Sequence, residues 1–316
     1  MTLTELRYIV AVAQKRHFGH AAEACFVSQP TLSVAVRKLE DELGVAIFER
    51  GPNDITLTPI GARIVDQAQR VLEQASAIKE MAQAGKDPLS GPLRLGAIYT
   101  IGPYLFPHLI PILHERVPGM PLVVEENYTA NLGARLKQGE LDLIVVSEPF
   151  EGPGIVTQPI YDEPFVILMP RSHPWSSRER IPTKDIANDN LLLLSSGNCF
   201  RDQVLAACPD CKQVTTSESG IQTVLEGSSL ETIRHMVASG MGITVLPCTA
   251  AGADRYSQRL LTITRFADPI PHRRIVLAWR KSFPRAEAVD AVRQAILSCQ
   301  LSCVTMLADA ESSDTK

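Results

Sequence analysis

The chain has 316 residues, 45% of them hydrophobic and 21% charged, with a net charge of −4. That length calls for two or three compact units of ordinary globular composition. No apolar run reaches the length of a membrane span, and Met1–Val10 lacks the order of a secretory signal, so no membrane partner and a cytoplasmic location are expected, with the seven cysteines reduced at rest.

Leu3, Leu6, Ile9, Val10 and Val12 form one apolar helical face, and Phe18 to Cys25 reads as a short alanine-rich helix. Phe26 to Ser28 is a turn. Ser28 is a good N-cap, Gln29 opens the next helix, and Pro30 falls in its first turn, where a missing N–H costs nothing. Leu32, Val36, Leu39 and Leu43 then make a buried stripe. The opposite side, Pro30, Thr31, Ser33, Val34 and Arg37, is small, polar or basic, as suits a helix that reads base edges in a major groove. The acidic run Glu40-Asp41-Glu42 would be repelled by phosphate and belongs away from DNA. The first 86 residues carry ten cations and ten anions, so a DNA-binding reading rests on pattern and not on basic excess. The alternative is a plain amphipathic helix in a bundle.

Phe48 to Thr58 reads as strand, turn, strand, with turn chemistry in Gly51-Pro52-Asn53-Asp54 and Arg50 at the base of the wing, placed for a phosphate contact. Thr58-Pro59 starts a helix running to about Gly85. Its stripe Ile60, Ile64, Ala68, Val71, Ala75, Ile78 and Ala82 is long enough to pair with a second copy, as well as to pack on its own domain.

Lys86 to Pro92 is a linker by composition. Beyond it, apolar runs at Leu93–Ile98, Leu122–Glu125, Asp142–Val146, Val166–Met169, Leu191–Leu194, Ile243–Leu246 and Ile275–Trp279 alternate with helical stretches, which predicts an α/β unit with a largely parallel sheet. Thr100 and Thr129 each follow a strand. They are helix caps, or two hydroxyls of one cleft.

Cys199 stands where a strand ends, a glycine turn follows and a helix begins. A helix N-terminus and nearby Arg201 favour a thiolate, which can attack a peroxide; an inert junction cysteine is the alternative. Cys208 lies nine residues on, roughly 13 Å along one helix. A disulfide needs Cα atoms roughly 4.4–6.8 Å apart, so joining the two requires the helix to unravel. Cys211 forms a CxxC motif with Cys208 and is an alternative resolving thiol. With no second CxxC or His pair nearby, no metal site is expected, and no cofactor. Cys25 reads as core, Cys248 as following a buried strand, and Cys299 and Cys303 as sharing a face of a terminal helix.

The stretch AAEACFVSQPTLSVAVRKLEDELGVAIFERGPNDITLTPIG resembles the winged helix-turn-helix of LysR-type transcriptional regulators, and SLETIRHMVASGMGITVLP resembles their effector domains. The resemblance implies residues 1–58 as a winged helix-turn-helix and 59–86 as a dimerisation helix. Residues 87–303 would be a periplasmic-binding-protein-like effector domain of two subdomains, about 87–161 with 268–303 and about 162–267, leaving 304–316 as a disordered tail. The chain should cross between subdomains near Tyr161-Asp162 and Phe266–Asp268. Promoter DNA, a homodimer through the 59–86 helix, a homotetramer overall and RNA polymerase are the partners this implies. Ser28, Gln29, Pro30, Thr31, Ser33, Arg37 and Arg50 would be the DNA-facing residues.

GNCFRDQ at 197–203 with Cys208 downstream, IGPYLFPHLIP at 101–111 and ITVLP at 243–247 are similar to the peroxide-sensing branch of that family, the OxyR regulators. This resemblance implies hydrogen peroxide as signal, Cys199 as the peroxidatic and Cys208 as the resolving cysteine. It also implies Thr100, Thr129, Asn198 and Arg274 around the peroxide. Position 198 is often His in that branch; Asn can hydrogen-bond a peroxide but carries no proton. Such a chain is a regulator and not an enzyme. A metabolite-responsive regulator with an inert Cys199, and a thiol peroxidase, are the competing functions.

Overall fold

The computed structural model describes residues 1–50, 55–84, 87–211, 226–252, 259–301 and 303–307. They fall into two units, Met1–Asp87 with Lys137–Glu140 and Ser282–Pro284, and the remainder from Pro88 onward.

In the first unit, α1 (Leu3–Lys15) is set by a capping box in which Thr2 and Glu5 satisfy each other's backbone. Helix α2 (Phe18–Ala24) and α3 (Gln29–Leu43) follow. Ser28 caps α3, its side chain accepting from the Thr31 N–H at 3.3 Å. Gly44 ends α3 with φ 68°, a left-handed turn that a side chain disfavours. Leu32, Val36 and Leu39 are buried against Leu6, Ile9, Val12 and Phe18, while Leu43, the last residue of the expected stripe, is exposed. Strands β1 (Phe48–Arg50) and β2 (Ile55–Leu57) pair antiparallel, and the turn residues 51–54 lie outside the described residues. The acidic run is partly structural: Glu40 Oε1 accepts from the Ile47 and Phe48 N–H groups at 2.7 and 3.1 Å, fixing the approach to β1.

Helix α4 (Pro59–Ala84) divides its stripe. Ile64 and Ala68, with Leu72, pack on the core just described, whereas Ile60, Val71 and Ile78 are exposed. Gly61 admits the close approach of this helix to the wing: a Cβ there would lie 2.0 Å from the Ile47 carbonyl oxygen.

The second unit begins with alternating strands and helices: β3 (Leu93–Ile98), α5 (Gly102–Arg116), β4 (Leu122–Asn127), α6 (Thr129–Lys137) and β5 (Leu143–Ser147). The long β6 (Ile155–Pro170) leads into β7 (Arg180–Ile181), a 3-10 helix (Thr183–Asn188), β8 (Leu191–Leu194) and α7 (Cys199–Ala207). After the undescribed residues 212–225 come β9 (Glu226–Gly227), α8 (Leu230–Ala238), β10 (Ile243–Pro247) and α9 (Cys248–Ala251). The unit ends with β11 (Leu261–Phe266), β12 (His272–Arg280), α10 (Ala286–Leu297) and β13 (Thr305–Met306).

One 11-stranded sheet runs β4-β3-β5-β12-β6-β10-β8-β9, with β11 and β13 also on β6. It is mixed where a largely parallel sheet was expected. The outer pairs are parallel, but β12 runs antiparallel to both β5 and β6, and β10 antiparallel to β6. The reason is the chain path: β6 carries the chain out of one half and β12 brings it back, so the two run opposite ways. The first half of β6 pairs with β12 as far as Pro164; from Phe165 it pairs with β10, just past the expected crossing at Tyr161-Asp162. Residues 304–307 are not a free tail: Thr305 and Met306 add a strand opposite Asp162 and Tyr161. Among the described residues no helix is long and apolar enough to cross a membrane.

Candidate functional site

Three neighbouring parallel strands, β4, β3 and β5, end at one edge of the sheet. The register pairs Ile98 with Asn127, and the rings of Tyr99 and Tyr128 lie next, 5.2 Å apart edge to face. Thr100 and Thr129 each follow one residue further on, just past the ends of these two strands. Ala97 pairs with Val145, which brings Ser147, the last residue of β5, to the same edge. Ligands in open α/β sheets bind at such carboxyl ends.

Cys199, the first residue of α7, faces this edge from the other half of the sheet. Its Sγ lies 3.7 Å from Ser147 Oγ. Gln203, one turn along α7, donates from Nε2 to Ser147 Oγ at 2.9 Å and to the Glu148 carbonyl at 3.2 Å. Asn198 is buried at the N-cap, where its amide donates to the Ser195 carbonyl at 3.4 Å. The helix starts here because Gly197, at φ 93°, turns the chain out of β8. Arg201 is committed elsewhere: it donates to the Leu194 carbonyl at 2.8 Å and pairs with Glu226 at 2.8 Å, so its charge is matched by a carboxylate.

Neither threonine caps a helix. Thr100 Oγ1 accepts from Arg273 Nη1 at 2.7 Å, and its carbonyl accepts from Nη2 at 2.8 Å. Thr129 Oγ1 is buried with no hydrogen-bond partner among the described residues, and so is Gln203 Oε1. Buried polar atoms are nearly always hydrogen-bonded, so these two are free to bond a small polar ligand.

Arg274, expected beside the peroxide, is instead a half-exposed residue in a bidentate pair with Asp162 at 2.8 and 2.9 Å. On a strand, neighbours face opposite ways, so the inward arginine is Arg273. It is buried, pairs with buried Glu163 at 2.7 Å and stacks over the Phe200 ring at 5.1 Å. Glu163 also accepts from the Thr249 N–H at 3.1 Å and from its hydroxyl. The sequence reading missed Ser147, Gln203, Glu163 and Arg273. Ser147 did leave a signal, a polar residue closing the apolar run Leu143–Val146.

Cys208 is the C-cap of α7, so the helix lies between it and Cys199 as the spacing predicted. Cys199, Cys208 and Cys211 are free thiols, the latter two buried. A hydrogen bond with Cys211, and then burial, push the Cys208 thiol well up, while the same bond holds Cys211 below its ordinary value. Cys208 is thus kept protonated and out of solvent while α7 is intact.

The other cysteines depart from expectation. Helix α10 ends at Leu297, so Cys299 and Cys303 do not share a helical face. Cys299 is buried, and burial pushes its thiol up to about 11. Cys303 is disulfide-bonded to Cys248, across a Cα separation of 6.1 Å. Among the described residues no cluster of three or more His, Cys, Asp or Glu could hold a metal.

In the first unit, Ser28, Gln29, Pro30, Thr31 and Arg37 are exposed and Ser33 is half-buried, on the side of α3 opposite the core. Val34 is exposed among them, and Phe26, at positive φ in the preceding turn, is 95% exposed. Arg50 closes β1 opposite Ile55.

The chain matches the bacterial regulatory helix-turn-helix model of the LysR family over residues 3–62 and the LysR substrate-binding domain over 86–299. It is 40% identical to the DNA-binding transcriptional dual regulator OxyR of Escherichia coli strain K12 over 298 residues, 94% of this chain and 95% of that one. It is 39% identical to the hydrogen peroxide-inducible genes activator of Dickeya chrysanthemi over 298 residues, 93% of this chain and 95% of that one. A structure of full-length OxyR from Pseudomonas aeruginosa, a cysteine-to-aspartate variant, superposes with a TM-score of 0.73 at 52% identity and covers 98% of both chains. With a helix-turn-helix in its first unit and a free cysteine at a hydroxyl-lined sheet edge in its second, the chain belongs to the LysR family of DNA-binding transcriptional regulators, in its OxyR branch of hydrogen-peroxide-inducible gene activators.

Proposed function

We propose that Cys199 is the peroxide-reactive thiol and that hydrogen peroxide is held at the sheet edge by Thr100, Thr129, Ser147, Asn198 and Gln203. The observation that carries this is the pairing of Cys199 Sγ with Ser147 Oγ at 3.7 Å, with Gln203 bonded to the same hydroxyl, and with two buried polar atoms of the set, Gln203 Oε1 and Thr129 Oγ1, lacking partners among the described residues. Peroxide has two donors and four lone pairs and matches such a set of hydroxyls and amides. The Cys199 thiolate attacks one peroxide oxygen, the O–O bond breaks, and the leaving oxygen takes a proton to become water. The product is a sulfenic acid.

Cys208 then attacks the sulfenic sulfur, forming a disulfide and releasing a second water. Helix α7 separates the two sulfurs, so the bond forms only if α7 unwinds, which also frees the Cys208 thiol from burial and from Cys211. The trade of a packed helix for a cross-linked loop gives the second conformation a switch requires. Cys211, next to Cys208, is the competing resolving thiol. The protein reacts stoichiometrically as a sensor and not as an enzyme.

The output is promoter DNA, read by Ser28, Gln29, Pro30, Thr31, Ser33 and Arg37 of α3, with Arg50 on phosphate. Exposed Ile60, Val71 and Ile78 support a homodimer through α4, and a homotetramer, acting in the cytoplasm with RNA polymerase downstream. Changing Arg37 relaxes sequence preference, whereas changing Arg50 weakens binding evenly and flattens its salt dependence.

Peptide mapping of alkylated protein without reductant, before and after micromolar peroxide, tests the reading. A Cys199–Cys208 or Cys199–Cys211 linked peptide is expected only after peroxide. A Cys199→Ser protein that still drives a peroxide response at its promoters would sink it.

A further inference from the structure

Away from Cys199, the C-terminal segment is joined by a covalent bond to the far side of the strand crossing. Cys303 precedes β13, which lies along the first half of β6: Thr305 opposes Asp162, Met306 opposes Tyr161, and the Leu307 N–H donates to the Ile160 carbonyl at 2.7 Å. Cys248 opens α9, directly after β10, which pairs with the second half of β6. The Cys248–Cys303 bond therefore spans the point where β6 changes partners. Without it, the described residues past Cys299 are held by the two-residue β13, a few hydrogen bonds and the packing of Val304 on the core, a small set of restraints for a chain terminus.

We propose that Cys248 and Cys303 are a second thiol–disulfide couple, closed by a hydroperoxide and opened by a small thiol, that clips the C-terminal strand across the crossing. Exposure divides the roles: Cys303 is exposed and Cys248 is 7% exposed. The Cys303 thiolate attacks the hydroperoxide, breaking its O–O bond, and becomes a sulfenic acid as one water leaves. The Cys248 thiol then displaces the second oxygen as water and forms the S–S bond. Two thiols lose two protons and two electrons, and one hydrogen peroxide becomes two waters. Because Cys303 is an exposed residue, a small thiolate can approach its side of the bond, which puts the couple in the labile class.

The bond also ends close to the sensor. Thr249, the residue after Cys248, donates to Glu163; Glu163 pairs with Arg273; and Arg273 donates to Thr100. Closing the couple restrains the helix that feeds this chain of contacts.

The test uses the full chain in wild-type, Cys199→Ser and Cys303→Ser forms. Each is reduced with dithiothreitol in the folded state, desalted, exposed to hydrogen peroxide, blocked with N-ethylmaleimide and mapped without reductant. In wild type and Cys199→Ser the Cys248–Cys303 peptide should be absent after dithiothreitol, dominant after peroxide and absent again on returning dithiothreitol. Cys303→Ser should leave Cys248 alkylated throughout. Limited proteolysis should release the segment beyond Cys299 about tenfold faster from the reduced form. Two results would overturn the proposal: Cys248 and Cys303 both alkylated after peroxide has oxidised Cys199, or a bond that folded protein retains in dithiothreitol.

Discussion

The two functional regions are built in different ways. Apart from Arg50 on β1, the residues proposed to face DNA project from one helix, α3, and its cap, so their arrangement follows from 3.6-residue periodicity once Leu32, Val36 and Leu39 are buried. The proposed peroxide site takes Thr100, Thr129 and Ser147 from three strand ends, Arg273 from a fourth strand, and Asn198, Cys199 and Gln203 from around the start of a helix in the other half of the sheet. A surface made by one helix tolerates changes around it. A site made by the convergence of separate segments depends on buried polar contacts at a distance from the reacting atom.

The largest expected effect probes that dependence. Glu163→Ala leaves the buried Arg273 guanidinium without its counter-charge and should destabilise the sensor unit by about 3–5 kcal/mol. Both tryptophans, Trp175 and Trp279, lie in that unit, so urea unfolding followed by their fluorescence reports on it directly. An unchanged midpoint would mean that the pair is not what holds Thr100 in place.

Leu32→Ala tests the other side. Truncating a fully buried leucine should cost the first unit about 2–5 kcal/mol. Circular dichroism should show an earlier helical transition while the tryptophan transition stays where it was. Coincident movement of both would contradict the separation of the two regions. Ser28→Ala removes only the cap of α3 and should cost about 1 kcal/mol, with DNA affinity falling while Cys199 oxidation keeps its rate.

The smallest effect sharpens the contrast between adjacent arginines. Arg274 pairs with Asp162 in partial exposure, and Asp162→Asn should cost under about 1 kcal/mol. The Arg274 guanidinium holds the Asp162 carboxyl below its ordinary value. Its contribution is therefore complete above the unfolded carboxylate value of about 3.9 and is lost as pH falls through the lower folded one. Acid titration of stability for wild type and variant should converge only in that range.

Much of this molecule was legible in its residues, for local reasons. The caps at Ser28 and Thr58, the stripe in α3 and the helix between Cys199 and Cys208 follow from short-range hydrogen bonding and periodicity. The motif around Cys199 placed it at a helix start but left a reactive and an inert thiol both open, and it was the family resemblance that pointed to peroxide. The adjacent arginines show where such reading stops. Arg273 and Arg274 are chemically identical and differ only in the face of β12 they occupy, which depends on its pairing with β6. Ser147, Glu163 and the union of Cys248 with Cys303 are likewise products of contacts between distant segments.

The sequence by itself thus determined the division into a helix-turn-helix module and an α/β effector unit, the buried stripe of α3, and the helix that separates Cys199 from Cys208. Tertiary structure alone decided that Arg273 turns inward to Thr100 and Glu163 while Arg274 turns out to Asp162, that Ser147 stands beside the Cys199 thiol, and that the last strand is clipped to α9. Periodicity specifies which side of an element is buried against something. It does not specify which distant strand supplies that something, because pairing partners and register are selected by the whole sheet at once.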